Sequence, residues 1–174
     1  MEMGKVNQSE EPLMVPAIKL SPPKKLVGKR VTMSLSADRT AELWKSFMPR
    51  RKEIKNTVGT ALYSMQIYPD GLDLSSFNAN ALFEKWAVTE VSGFESVPDG
   101  MECLVLTEGL YAVFLHRGAA DTAPATFQYI FGTWFPASVY VPDNRPHFEI
   151  LGDKYINNHP DSEEEVWIPI KPKV

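Results

Sequence analysis

A chain of 174 residues is long enough for one domain with a sizeable core, or for two fused small modules. Hydrophobic residues at 44% and charged residues at 23% are the mix of a globular protein and exclude a disordered one. A formal net charge of −4 argues against nucleic-acid binding, which needs a concentrated positive field to displace phosphate counterions.

From the N-terminus, residues 1–23 read as a tail. Met1 to Pro12 is polar and acidic with no apolar signal core, and no later segment has the apolar length of a membrane helix, so a cytoplasmic location is expected. Pro12, Pro16, Pro22 and Pro23 disfavour helix, and Leu13 to Leu20 can lie against the body as an extended strap. The domain proper is read as residues 24–174. Lys25 to Leu35 is β-rich and predicts a strand. Ser36 or Asp38 can cap a helix whose one face carries Leu43, Trp44, Phe47 and Met48, with Ile54 continuing it. Pro49 lacks an N–H and should kink or restart that helix. The cluster Arg50-Arg51-Lys52, with Glu53 beside it, reads as a solvated helix face. Leu62 to Tyr68 alternates as a strand and ends in the turn Pro69-Asp70-Gly71; Lys85 to Val91 is another strand.

The second half repeats this grammar. Pro98-Asp99-Gly100 is a turn, Glu102 to Leu106 a strand, and Glu108-Gly109 a tight turn into a strand from Tyr111 to His116. Cys103 is the sole cysteine, so no intrachain disulfide can form; its apolar run predicts a buried, inert thiol. Asp121 or Thr122 can cap a helix with Pro124 in its first turn, and Phe127, Ile130, Phe131 and Trp134 give the i, i+3, i+4, i+7 stripe. Pro136 closes it. His147 to Leu151 and Glu165 to Ile170 are late strands. The fold expected is therefore α+β: duplicated strand–helix–strand–strand modules over about 24–95 and 96–174. They form an antiparallel sheet with helices on one side and a ligand groove between the halves.

Several chemistries have no motif here. The glycines are scattered singly, without a phosphate loop, no Cys/His spacing suits zinc, and no GxSxG elbow occurs, so neither metal nor cofactor is expected. His116, His147 and His159 are far apart, and His116 reads as a hydrogen-bonded strand-end residue.

Two carboxylates stand beside aromatics in strands. Glu149 sits in Pro146-His147-Phe148-Glu149-Ile150. In Glu165-Val166-Trp167-Ile168-Pro169-Ile170, period-2 alternation sends Val166, Ile168 and Ile170 to a helix-packed face and Glu165 with Trp167 to the other. Glu163 and Glu164 read as a solvated acidic turn. A glutamate among aromatic rings attracts an apolar cation through its charge and through cation–π contact, and burial would raise its pKa toward a general base's. Most other aromatics are core; tyrosines and tryptophans on strands are the better wall candidates.

These stretches resemble a known family. Gly109 through Gly118, Thr126 through Ile130, Trp134 through Ser138, Arg145 through Ile150 and Glu165 through Ile170 are similar to the effector-binding domain of bacterial AraC/MerR-type transcription activators. This is also called the gyrase-inhibitor-like small-molecule-binding domain. Leu26-Val27-Gly28 and the helix around Leu43 to Phe47 match more loosely, and coverage is about residues 24 to 171. The resemblance implies a groove between the halves in which Glu165 faces the ligand beside aromatics. Residues 1–23 are too short and proline-rich for a helix-turn-helix, so the stand-alone form of the family is expected. The first reading is a binder of a small apolar molecule, neutral or cationic, since a pocket carboxylate permits a cation without demanding one. Glu165 is its anchor, and Trp167, Tyr68, Trp134, Tyr111, Phe148 and Glu149 complete the candidate site. The rivals are a hydrolase of cyclopropane-bearing toxins, with Glu165 as base, and an inhibitor of a protein partner such as a topoisomerase.

Overall fold

The computed structural model describes residues 15–72, 74 and 78–174. The first fourteen residues of the predicted tail lie outside these. Among the described residues nine strands form a single antiparallel system: β1 (Ala17–Ser21), β2 (Lys24–Met33), β3 (Thr57–Ile67), β4 (Phe83–Val91), β5 (Glu102–Leu106), β6 (Gly109–Arg117), β7 (Tyr140–Pro142), β8 (His147–Leu151) and β9 (Glu163–Pro172). Helix α1 (Thr40–Phe47) follows β2, and helix α2 (Ala123–Tyr129) follows β6. Pro49 does restart α1, as a 3-10 helix over Met48–Glu53. Helix α2 runs on through a π-helical stretch, Ile130–Trp134, to a last turn at Phe135–Ala137.

The strand order is β1-β6-β9-β8-β3-β4-β2-β5, with β7 added to β9. Its two nominal ends are continuations of strands on opposite sides: β1 runs into β2, and β5 into β6. Ser21 pairs with Gly109 and Lys24 with Leu106, so the register passes unbroken across Pro22–Pro23 and Thr107–Glu108. Two bent ribbons, 17–33 and 102–117, therefore pair along their lengths, and the sheet curls until its margins meet. Two prolines suit the bend because neither offers an N–H to a ladder. The duplicated module thus carries a lead-in strand in each half. Residues 17–21 belong to the sheet, where composition alone had placed them in the tail.

Alternation then sorts side chains onto two faces. The inner face is filled by Leu26, Met65, Trp86, Leu106, Tyr111 and Phe148 with their neighbours. The outer face carries the helices: Leu43 and Phe47 of α1 pack on Val27 and Ala87. Ile130 and Phe135 pack on Phe114 and on Val166, Ile168 and Ile170, the face expected to do so. Lys173 Nζ donates to the carbonyls of Ser138 at 2.6 Å and of Phe135 and Pro136 at 3.3 Å, closing the last helical turn with a cation.

Local details depart from expectation at three points. Neither helix has a side-chain cap; Asp38 instead accepts from the Thr40 N–H at 2.8 Å, and Thr122 donates to the Ala119 carbonyl. Cys103 is exposed, because β5 pairs only with β2 and stands beyond the cover of α1. Glu163 and Glu164 are strand residues rather than a solvated turn: β9 begins two residues early, and Glu163 pairs with Arg117 at 2.7 Å. Among the described residues no helix is long and apolar enough to cross a membrane.

Candidate ligand site

Strands β3 and β8 meet at the junction of the halves, between the helices on the outer face. Their register sets Ser64 opposite Glu149 and Gln66 opposite His147. These four side chains point outward, as the paired alternation requires, and all four are buried. They lie in the middle of the outer face, between the strands that carry α1 and those that carry the α2 segment.

Glu149 is 8% exposed and accepts a hydrogen bond from Gln66 Nε2 at 3.1 Å. No ion pair reaches it among the described residues. Its charge acts on its neighbours. Burial first, then Glu149, pushes the Tyr68 hydroxyl well above the usual tyrosine range. Burial first, then Glu149, pushes the Glu164 carboxyl up to about 7, with Lys85 opposing.

Tyr68, just after β3, and His147 of β8 continue this row, with Phe131 of the helical segment beside them. Tyr68 meets His147 edge-on at 5.0 Å, and Phe131 lies over His147 at 6.3 Å. The π-helical stretch belongs to this wall; such a widened turn re-aims the side chains it carries. Beyond these rings opens a cavity of about 480 Å³, lined by Tyr68, Leu72, Phe131, Phe135, Tyr140 and His147, with Arg145 and Lys171 at its rim. Tyr68 also borders a cavity of about 370 Å³ with Phe83 and Leu82. Both volumes fall within the range of small-molecule pockets.

His147 is held neutral. Burial, and secondarily the Arg145 charge, bring its pKa down to about 3. The unfolded chain takes up that proton near pH 6.5, so this group's stability contribution is full above 6.5 and is lost as pH falls toward 3. His147→Phe keeps the ring contacts. Relative to that variant, the wild type should lose about 2 kcal/mol between pH 6.5 and 5. Urea unfolding at both pH values checks this; parallel curves for the two proteins would refute it.

The candidate residues divide between the faces. Glu149 and Tyr68 stand on the outer face; Tyr68 lines both cavities and Glu149 lines neither. Tyr111, Phe148 and Trp167 pack together inside the sheet: Trp167 stacks on Phe148 at 5.3 Å and meets Tyr111 at 5.7 Å. Glu165 shares that inner face, opposite Ile150, and lines neither cavity described above. Trp134 packs within the helix layer against Phe114, Phe135 and Tyr140. His116 is the hydrogen-bonded residue expected, 2.8 Å from Thr126 Oγ1. Gln66, His147, Phe131 and Glu164 were not singled out. Glu164 was open to the alternation already applied to β9, since it shares a face with Val166, Ile168 and Ile170.

Known proteins share this architecture. The sequence is 26% identical over 146 residues to the transcriptional regulator BrlR of Pseudomonas aeruginosa. That alignment takes in 83% of this chain and 51% of BrlR, so the chain spans about half the length of this curated relative. Among solved structures, the C-terminal domain of EcmrR superposes with a TM-score of 0.67 at 17% identity, over 92% of this chain and 99% of that one. SAV2435 bound to tetraphenylphosphonium superposes with a TM-score of 0.66 at 14% identity, over 91% and 94%. The sequence profile of the GyrI-like small molecule binding domain matches residues 14–171, nearly the whole chain. With the curled antiparallel sheet and the two helices packed on one side of it, this makes the chain a member of the GyrI-like small-molecule-binding domain family.

Proposed function

We propose that the chain binds an organic cation with aromatic or other apolar substituents in the groove between α1 and α2, with Glu149 as the charge anchor. The observation that carries this is a carboxylate buried to 8% exposure that meets, among the described residues, a single amide donor and no cation. A ligand cation supplies the missing charge where water does not screen it. The rings of Tyr68, Phe131 and His147 supply apolar and π surface beside it. Gln66 and Glu149 follow directly on Tyr68 and His147 along the same face of the same strands, so a modest turn of these rings joins the cavity to the carboxylate. That SAV2435 takes tetraphenylphosphonium lends this ligand class support.

The anchor proposed is Glu149 rather than Glu165, because Glu149 shares the outer face with Tyr68 and His147, which line the cavity, while Glu165 lies on the inner face. Calorimetric titration of tetraphenylphosphonium into wild type, Glu149→Gln and Glu165→Gln tests the choice. Glu149→Gln should weaken binding about thirtyfold, roughly 2 kcal/mol, and Glu165→Gln by less than about threefold. The reverse pattern would move the anchor to the inner face. Equal affinities in all three would remove charge anchoring altogether.

A further inference from the structure

Glu149 is not the only carboxylate on this part of the outer face. It pairs with Val166, and Glu164 stands two residues before Val166 on the same outer face of β9. The two carboxylates therefore occupy diagonal positions on adjacent strands, with Cα atoms about 7–8 Å apart in such a pair.

The groups around Glu164 do little to offset a second negative charge. Directly opposite on β6 is His116, whose ring nitrogens already meet Thr126 at 2.8 Å and Thr122 at 3.3 Å. Strand β3 offers Ser64 and Gln66, and Gln66 is given to Glu149. Strand β4 brings Lys85, and Asp38, before α1, also acts on that lysine. Tyr155, in the connection from β8 to β9, feels the Glu164 charge, and Tyr68 that of Glu149. No ion pair reaches either carboxylate among the described residues.

Granting the cation-binding reading above, we propose that Glu164 is the second carboxylate of the groove, protonated while the groove is empty, and that it releases this proton to solvent when an organic cation enters. The exchange is balanced in charge: one carboxylic acid becomes a carboxylate and one proton leaves for each positive charge that arrives. The empty groove avoids two adjacent buried anions, and the filled one presents two carboxylates to its ligand. The upward displacement of the Glu164 carboxyl to about 7, from burial first and the Glu149 charge second, agrees with this.

A ligand that expels a proton binds more weakly in acid. Tetraphenylphosphonium carries a fixed charge, so any pH dependence of its binding belongs to the protein. For the wild type, affinity should rise by up to about tenfold per pH unit between 5.5 and 7 and level off above. Calorimetry at pH 6 in buffers of different ionisation enthalpy should show close to one proton released per cation bound. In Glu164→Gln, both the slope and the release should vanish, while a His116→Asn control should retain them. Carbon-detected titration of the empty protein should place the Glu164 carboxyl near neutrality rather than near pH 4.5. Binding with no pH slope in the wild type, or a slope that survives Glu164→Gln, overturns this proposal and leaves the cation site standing. No binding at any pH overturns the cation site and this proposal with it; the carboxyl titration still reports separately on where Glu164 ionises.

Discussion

Gly28→Ala is expected to cost the fold at least about 3 kcal/mol, one of the largest single-residue effects in the chain. A Cβ built on Gly28 would stand 1.9 Å from the Ala87 carbonyl oxygen and 2.8 Å from the Val88 Cα. Both contacts are backbone, so no side-chain rotation relieves them. Gly28 pairs with Val88 on one side and Glu102 on the other, at the end of the bent ribbon pairing that curls the sheet. The strands could admit a methyl group only by separating, which would break ladder hydrogen bonds and disturb the adjoining Leu26 and Val27. Gly132 is the control: nothing lies within 4 Å of its virtual Cβ, so Gly132→Ala should stay within about 1 kcal/mol of wild type. Urea unfolding of the three proteins decides the matter. A Gly28→Ala midpoint indistinguishable from wild type would mean the close approach is not a feature of the folded protein.

Phe148→Ala should cost about 3–5 kcal/mol and leave ligand affinity of the folded protein nearly unchanged. Its ring is 1% exposed and touches Tyr111 at 5.2 Å, Trp167 at 5.3 Å and Tyr63 at 5.8 Å, joining strands β3, β6, β8 and β9 inside the curl. Truncation leaves a void among rigid rings that cannot collapse into it. The result separates two roles for the inner aromatics. If they are core, the melting temperature falls and tetraphenylphosphonium binds folded Phe148→Ala within about threefold of wild type. If affinity falls tenfold or more while stability changes little, the inner face is the binding surface and the groove assignment fails.

The secondary structure was legible for ordinary reasons. Alternation marked the strand at Leu62–Tyr68 and the two faces of Glu165–Ile170, and the apolar stripe marked α2, because burial on one face imposes a period on any sequence. Strand β1 was hidden: Ile18 and Leu20 are exposed, and its pairing with β6 rests on backbone hydrogen bonds, which leave little mark on side-chain chemistry. Glu163 and Glu164 were misread because three successive glutamates look like solvent-facing chain. Glu163 is answered by Arg117, 46 positions away in the sequence, a partner that only the β6–β9 pairing supplies.

By itself the sequence determined the α+β class, the duplicated module, the helix-packed face of β9 and the presence of glutamates among aromatics. Each of these follows from spacing within a few residues, which local geometry converts directly into a face. Which aromatics are core and which line a cavity was decided by tertiary structure. Alternation states only that Phe148 and Glu149 point opposite ways. Helices α1 and α2 determine which way is outward, and the curl of the sheet seals the other side. That curl depends on two ribbons meeting in register over some 80 residues of chain separation, and no local pattern records it.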